Sequence, residues 1–367
     1  MNILYLSNHL NVGGITSYVF SLANGMRTRG HAVHVASSSG DCLLRFSAAD
    51  IKFVHIPVKT KSEIDPRILY SAFKLDKYIK ENNIEIIHAN TRVTQVLGCI
   101  LRKLSGRPYI STCHGFFRNR FFRRAFPCWG QRVIAISQQV AEHLKYDFKV
   151  DAAKIEVIHN GIDLNRFSAF EAATKIKAKE TFGLSGAPVV GIIARLSDVK
   201  GHAYLIEAMK IVIENIPAVK LLIVGEGREE KRLKNLALGL GIENSLFFVP
   251  SVKDTTQALA AIDIFVMPSL QEGLGLGLME AMACGIPVIG SDVGGIKTLI
   301  QNNYNGLLVP AANALELAKA ISVLLNDTRK FRDLGEKGRI FINKHFSQEE
   351  MVLKTEKVYR QCLDIKD

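Results

Sequence analysis

The chain has 367 residues, 48% of them hydrophobic and 22% charged. That length and composition fit two or three globular domains of ~150 residues, and exclude a disordered chain, a collagen-like repeat and a small disulfide scaffold. Lys and Arg number 47 against 35 Asp and Glu, a formal charge of +12, which calls for an anionic partner: nucleic acid, anionic lipid or a phosphorylated ligand.

In chain order, β-rich runs fall at 3–6, 32–36, 53–56, 84–88, 109–112 and 133–136. Helix-length stretches at 15–29, 68–82 and 137–145 lie between them. Strands separated by such connections predict parallel βαβ units, because a parallel crossover needs a dozen or more residues. Continuous apolar runs such as ILYL and IEIIHA suit strands buried on both faces. A strand at 155–159 leads into Asn160-Gly161-Ile162-Asp163, and a polar, Ala-rich stretch at 166–179 marks a domain boundary.

A second series follows, with strands at 189–194, 220–224, 246–249, 263–268, 287–290 and 306–309 and helices at 202–214, 228–238 and 278–284. A last helix is expected at 348–363. The expected architecture is α/β, with two doubly wound parallel-sheet domains, 1–165 and 166–347, each binding ligand at the carboxyl ends of its strands.

The six cysteines are scattered, with no C-x-x-C and no zinc-finger spacing, and read as reduced thiols of a cytosolic protein. The N-terminal MNILYLSNHL lacks the basic region of a signal peptide. No apolar run reaches the ~20 residues of a membrane-spanning helix.

The richest motif is DIFVMPSLQEGLGLGLMEAMACGIPVIGSDVGGI, 263–296. Glu272 and Glu280 have seven residues between them, Gly273, Gly275 and Gly277 among these. Such a loop at a helix start exposes backbone N–H groups to an anion, and each carboxylate can accept from vicinal hydroxyls. A ligand with phosphate in the middle and sugars at both ends satisfies that layout. The dinucleotide fingerprint fails here and no P-loop occurs. No D-x-D pair is present to clamp a metal. Arg195 and Lys200, in ARLSDVKG after a strand, are the candidates to neutralise phosphates, one as a bidentate fork and one as a point charge. In the first half, Gly13-Gly14 lie between the first strand and first helix, and His114 follows the strand PYISTC.

Together Gly13-Gly14, TCHG, VIHNGID, ARLSDVKG, LLIVGEG and EGLGLGLMEA…GIPVIGSDVGG resemble the retaining glycosyltransferases of the GT-B fold, family 4. The resemblance spans nearly the whole chain. The family loop commonly reads EGFGLPxxEA; here Leu274 stands for Phe and Gly277 for Pro. It implies two Rossmann-like domains facing a central cleft, with helix 348–367 packing back on the first. It implies that Arg195 and Lys200 bind the donor diphosphate, that Glu280 holds the ribose, and that Glu272 with Gly273, Leu274 and Gly275 holds the hexose. Gly225 and Glu226, with the turn around Val252, would lie near the nucleoside. His114 would contact the donor sugar, and Gly13 and Gly14 would approach the diphosphate and acceptor. The implied reaction needs no cofactor and no metal. It moves a hexose from a nucleotide-diphosphate sugar, UDP-linked, to a lipid-linked or cell-envelope glycan such as lipopolysaccharide core. A nucleotide-sugar 2-epimerase and a non-catalytic membrane-associated nucleotide-sugar-binding protein are the alternatives.

Residues 1–165 carry 22 Lys/Arg and 12 Asp/Glu, against 25 and 23 in 166–367. The basic excess therefore belongs to the first half. Within it, FFRNRFFRRAFPCW, 116–129, interleaves Phe117 and other aromatics with Arg118, Arg120, Arg123 and Arg124. That pattern suits an acceptor-bearing anionic membrane. Nucleic acid is not expected, since no nucleic-acid motif accompanies it. The expected location is cytoplasmic, on the inner face of the membrane.

Overall fold

The computed structural model describes residues 1–117, 123 and 126–364. It forms two compact units: Met1–Gly161 together with the C-terminal helix Gln348–Asp364, and Ile162–Ser347.

The first unit holds β1 (Asn2–Leu6), β2 (Ala32–Ser37), β3 (Lys52–His55), β4 (Ile86–Ala89), β5 (Tyr109–Cys113), β6 (Arg132–Ala135) and β7 (Ile155–Val157) in one sheet, ordered β3-β2-β1-β4-β5-β6-β7. The second holds β8 (Val189–Ile193), β9 (Lys220–Val224), β10 (Leu246–Val249), β11 (Ile264–Met267), β12 (Val288–Ser291) and β13 (Leu307–Val309), ordered β10-β9-β8-β11-β12-β13. Every pairing is parallel. Strand order reverses between β1 and β4 and between β8 and β11. At such a switch point the flanking loops diverge and leave a crevice outside the carboxyl ends.

The central strands read as apolar runs because helices cover both faces: Ile3, Leu4, Tyr5 and Leu6 are fully buried. Helix Gly14–Thr28 buries Tyr18, Val19, Leu22, Ala23 and Met26, one stripe of a 3.6-residue period. Helix Pro66–Glu81 starts where it does because Asp65 caps it, accepting from Arg67 N–H, and Pro66 fits the first turn. Helix Arg92–Ser105 ends at Gly106, whose φ of 68° is left-handed.

The C-terminal helix belongs to the first unit's core. Met351, Val352, Val358, Tyr359 and Cys362 pack with Tyr18, Val19 and Leu22. Glu356 on the same helix sits 2.5 Å from Arg29 Nε and 2.6 Å from Arg360. Tyr359 enters a buried polar chain. Its hydroxyl donates to Tyr5 (3.0 Å) and lies 2.7 Å from His88 Nδ1. His88 Nε2 is 2.7 Å from Thr112 Oγ1, which is 3.2 Å from the Tyr18 hydroxyl.

Helix Ala172–Thr181 occupies the stretch read as a boundary. It buries only Ala178, so no apolar stripe announces it. Tertiary ties hold it: Lys179 Nζ donates to Asp263 Oδ2 at 2.6 Å and to the Ala187 carbonyl at 2.9 Å.

Candidate active site

The second unit carries the predicted donor residues on the loops after β8, β9, β10 and β11 and on the helix that follows β11. The loop after β8 is pinned to the next one: Ala194 N–H donates to Val224 O (3.0 Å) and Leu196 N–H to Glu226 O (2.9 Å). A Cβ on Gly225 would lie 2.1 Å from Ala194 O, and one on Gly227 2.0 Å from Leu196 O. These glycines are therefore demanded by the loops that present Arg195. Glu226 beside them is exposed, and Val252 is half-buried after β10.

Gly201 has φ 71°, and a Cβ there would sit 1.8 Å from Pro268 O. The close approach brings Lys200 beside the loop after β11. Lys200 Nζ lies 2.5 Å from Glu272 Oε2, and Ser269 Oγ donates to the same oxygen at 3.3 Å. Arg195 is exposed and makes no ion pair with a described residue. His202 is buried next to Lys200. Burial and that positive charge push its pKa down to about 4, so it is neutral at pH 7.

Gly273, Leu274 and Gly275 are buried. Gly295 N–H donates to Glu272 O at 2.9 Å, and a Cβ on Gly295 would stand 2.0 Å from Gly273 O. Helix Leu276–Ala283 begins after Gly275 at φ 100°, two residues earlier than the sequence suggested, so Gly277 lies inside its first turn. The N–H groups of that turn lack helical partners, and the helix dipole favours an anion there. Glu280 projects from the middle of the helix and is 8% exposed. Its Oε2 accepts from Thr255 Oγ1 at 2.9 Å.

In the first unit, Gly13 and Gly14 open helix Gly14–Thr28, and a Cβ on either meets nothing within 4 Å. Packing does not demand them, unlike Gly201 or Gly225. His114, just past β5, lies 3.3 Å through Nε2 from Asn90 Oδ1 beyond β4, and its ring packs edge-on against Tyr18 at 4.6 Å. Burial lowers its pKa to about 3, so it stands as a neutral imidazole.

Of the basic aromatic segment, Arg118, Arg120 and Arg124 lie outside the described residues. Phe117 is partly buried, 6.1 Å from the buried Trp129 ring and beneath the Arg123 guanidinium at 4.5 Å. Arg123 reaches Glu63 at 3.3 Å, and Glu63 also binds Arg92 at 2.8 Å. These described members face inward, while Phe126 is exposed. Among the described residues no helix is long and apolar enough to cross a membrane.

Thr255, Ser269, Asn90 and Tyr18 were not legible in the sequence. Single hydroxyl and amide residues carry no spacing signal, and only the folded loops place them against Glu280, Glu272 and His114.

Comparison with known proteins bears on both units. The model of "Glycosyltransferase Family 4" matches residues 12–166, and that of "Glycosyl transferases group 1" matches 174–341. The chain belongs to the group 1 glycosyltransferases. This glycosyltransferase is 31% identical over 260 residues to the Escherichia coli UDP-Gal:alpha-D-GlcNAc-diphosphoundecaprenol alpha-1,3-galactosyltransferase, covering 67% of the chain and 66% of that protein. It is 26% identical to the Bacillus anthracis N-acetyl-alpha-D-glucosaminyl L-malate synthase over 96% of the chain and 95% of that protein. The crystal structure of Anabaena HepE with UDP-glucose aligns over 98% of the chain and all of that structure, at TM-score 0.88 and 24% identity. The glycosyltransferase therefore has the GT-B fold, as its two parallel sheets indicate.

Proposed function

We propose that this glycosyltransferase moves a hexose from a nucleotide-diphosphate sugar, uridine-linked, to a lipid-linked or cell-envelope glycan, with retained configuration and no metal. The observation that carries the reading is the Lys200–Glu272 ion pair joining the loops after β8 and β11, with Arg195 on the first of these loops and Glu280 on the helix that starts at Gly275. Two cations and a row of N–H groups suit a diphosphate. Two carboxylates on either side of that row suit the hydroxyls of ribose and hexose. The Escherichia coli relative is named for a UDP-linked donor and a diphosphoundecaprenol acceptor, which supports the uridine and lipid-linked assignments.

The chemistry follows from where charge develops. The bond from the anomeric carbon to the diphosphate breaks as the acceptor oxygen bonds to that carbon from the same face. The acceptor proton passes to the departing phosphate oxygen. Arg195, Lys200 and the first-turn N–H groups stabilise the growing negative charge. Removing one such donor typically costs ~10²–10³ in turnover. Gly13, Gly14 and His114 at the carboxyl ends of β1 and β5 are the first unit's part of the reaction. The neutral His114 can donate to, or accept from, a sugar hydroxyl without adding charge.

The test is the product formed in EDTA from a UDP-hexose and a short-chain lipid diphosphate sugar, read by NMR of the anomeric proton. Retained configuration at undiminished rate supports the reading. Inversion, or a rate restored only by a divalent cation, contradicts it.

A further inference from the structure

Helix Pro66–Glu81 has a solvent face unlike that of an ordinary surface helix. Ile68, Ala72, Leu75 and Ile79 are buried, as one stripe should be. The opposite face should be polar, yet Leu69 is 51% exposed and Tyr70 and Phe73 are each 61% exposed, with Ile64 just before the helix at 81%. At 100° per residue, Leu69, Phe73 and Tyr70 span about a third of the circumference. Arg67, Lys74, Lys77 and Lys80 lie on or beside that same face, and all four are exposed. Rings and long cationic stems thus alternate across one surface.

The surroundings share the charge. Residues 52–107 hold eleven Lys/Arg against five Asp/Glu, a net +6 of the first half's +10. The acids nearest the face are engaged with its cations: Asp65 with Arg67, Asp76 with Lys80 and Glu81 with Lys77. The lysine pairs place their ammonium groups at the surface, where an exposed ion pair contributes little, while Arg67 is held by Asp65 through two bonds.

We propose that the exposed face of helix Pro66–Glu81, with Ile64, docks this glycosyltransferase on an anionic lipid bilayer. Leu69, Tyr70, Phe73 and Ile64 enter the headgroup–acyl boundary, where apolar burial and the amphipathic Tyr ring are favoured. Arg67, Lys74, Lys77 and Lys80 meet lipid phosphates, as near-surface cations do at an anionic leaflet. A purely polar partner would leave the apolar side chains unmatched, and an apolar protein face would leave the cations unmatched. A bilayer with anionic headgroups matches both at once. The inference deepens the proposed lipid-linked acceptor, since an enzyme acting on such a substrate gains by holding its surface. It places a membrane face on the helix after β3, beside the expectation for 116–129, of whose described members Phe117 and Arg123 turn inward and Phe126 is exposed.

The experiment is flotation of the full chain with phosphatidylcholine vesicles and with vesicles containing 30% phosphatidylglycerol, on the order of physiological salt. Binding is expected to the anionic vesicles only. It should fall at least tenfold in Leu69→Ser/Tyr70→Ser/Phe73→Ser and in Lys74→Glu/Lys77→Glu, and persist in Phe126→Ser. Thermal unfolding and UDP binding should stay unchanged in these variants, showing that the fold and donor site are intact. No binding by the wild type, binding unaffected by the triple variant, or a face that instead proves to form a dimer lost in the triple variant overturns the proposal. Transfer to a water-soluble acceptor analogue, measured alongside, reports on the proposed function separately: it survives if only docking fails.

Discussion

Lys200 and Glu272 form an ion pair across the loops that follow β8 and β11, with Nζ 2.5 Å from Oε2. The residue proposed for the diphosphate and the residue proposed for the hexose thus hold each other in place. Both side chains are partly buried, so the pair orders the site as well as neutralising it. Binding a donor then exchanges one set of charge-assisted bonds for another, rather than ordering two loose chains.

This pairing separates the two roles. Lys200→Met should weaken UDP and UDP-sugar alike, by roughly 10–100-fold, the size of a lost bond to a charged group. Glu272→Gln should leave UDP affinity within about threefold and weaken the UDP-sugar about tenfold, since only the sugar uses the carboxylate. Calorimetric titration of both ligands into both variants checks this. Equal effects of Glu272→Gln on UDP and UDP-sugar would refute the division.

Thr255 Oγ1 donates to Glu280 Oε2 at 2.9 Å and so orients the carboxylate proposed for the ribose. Thr255→Val keeps the shape and removes the hydroxyl. It should raise KM for the donor about fivefold, the worth of one hydrogen bond, with kcat nearly unchanged, and Thr255→Ser should restore it. A change confined to kcat would argue against a ribose contact.

The glycines divide into those packing demands and those it does not. Gly295→Ala must push a Cβ into the Gly273 carbonyl, so it should destabilise the chain by about 1–3 kcal/mol and lower turnover with it. Gly14→Ala meets open space. It should leave Tm within about a degree, since surface changes away from packing are nearly neutral, yet lose most turnover if the open space takes substrate as proposed. Scanning calorimetry with initial rates tests both. An active Gly14→Ala would remove the functional reading of that pair.

Acid should destabilise this protein earlier than carboxylate titration alone implies. Burial holds His88 and His114 at about 3 and His34 at about 4, whereas an unfolded histidine titrates near 6.5. Between those limits the unfolded chain binds more protons than the native one. Stability therefore rises with pH through that window and is lost as pH falls from about 6.5 toward 4. His34→Gln, in place against Tyr78, should flatten the slope of Tm against pH over that range. An unchanged slope would show that His34 is not buried neutral.

Much of this was legible in the sequence for physical reasons. Apolar runs and crossover lengths specify parallel sheets, and Glu272, Glu280 and the glycines between them form a pattern few other chemistries need. Two things were not. Helix Ala172–Thr181 carries no apolar stripe, because side-chain ties from Lys179 rather than burial hold it. Within 116–129, composition cannot say which way Phe117 and Arg123 point, while Phe126 is exposed and Arg118, Arg120 and Arg124 lie outside the described residues. The Glu63 carboxylate, some 60 residues earlier in the chain, draws Arg123 inward. The apolar residues of helix Pro66–Glu81 were hidden among its lysines for the same reason.

The central claim is that the second unit binds a nucleotide-diphosphate sugar through Arg195 and Lys200. Its most direct test is thermal unfolding of the wild type and of Arg195→Ala/Lys200→Ala in EDTA, with UDP-, GDP- and ADP-hexoses. A ligand that binds only the native state must raise Tm. At least one UDP-hexose should raise the Tm of the wild type by several degrees and leave the double variant's unchanged. No shift with any donor, or an equal shift in the double variant, would contradict the account.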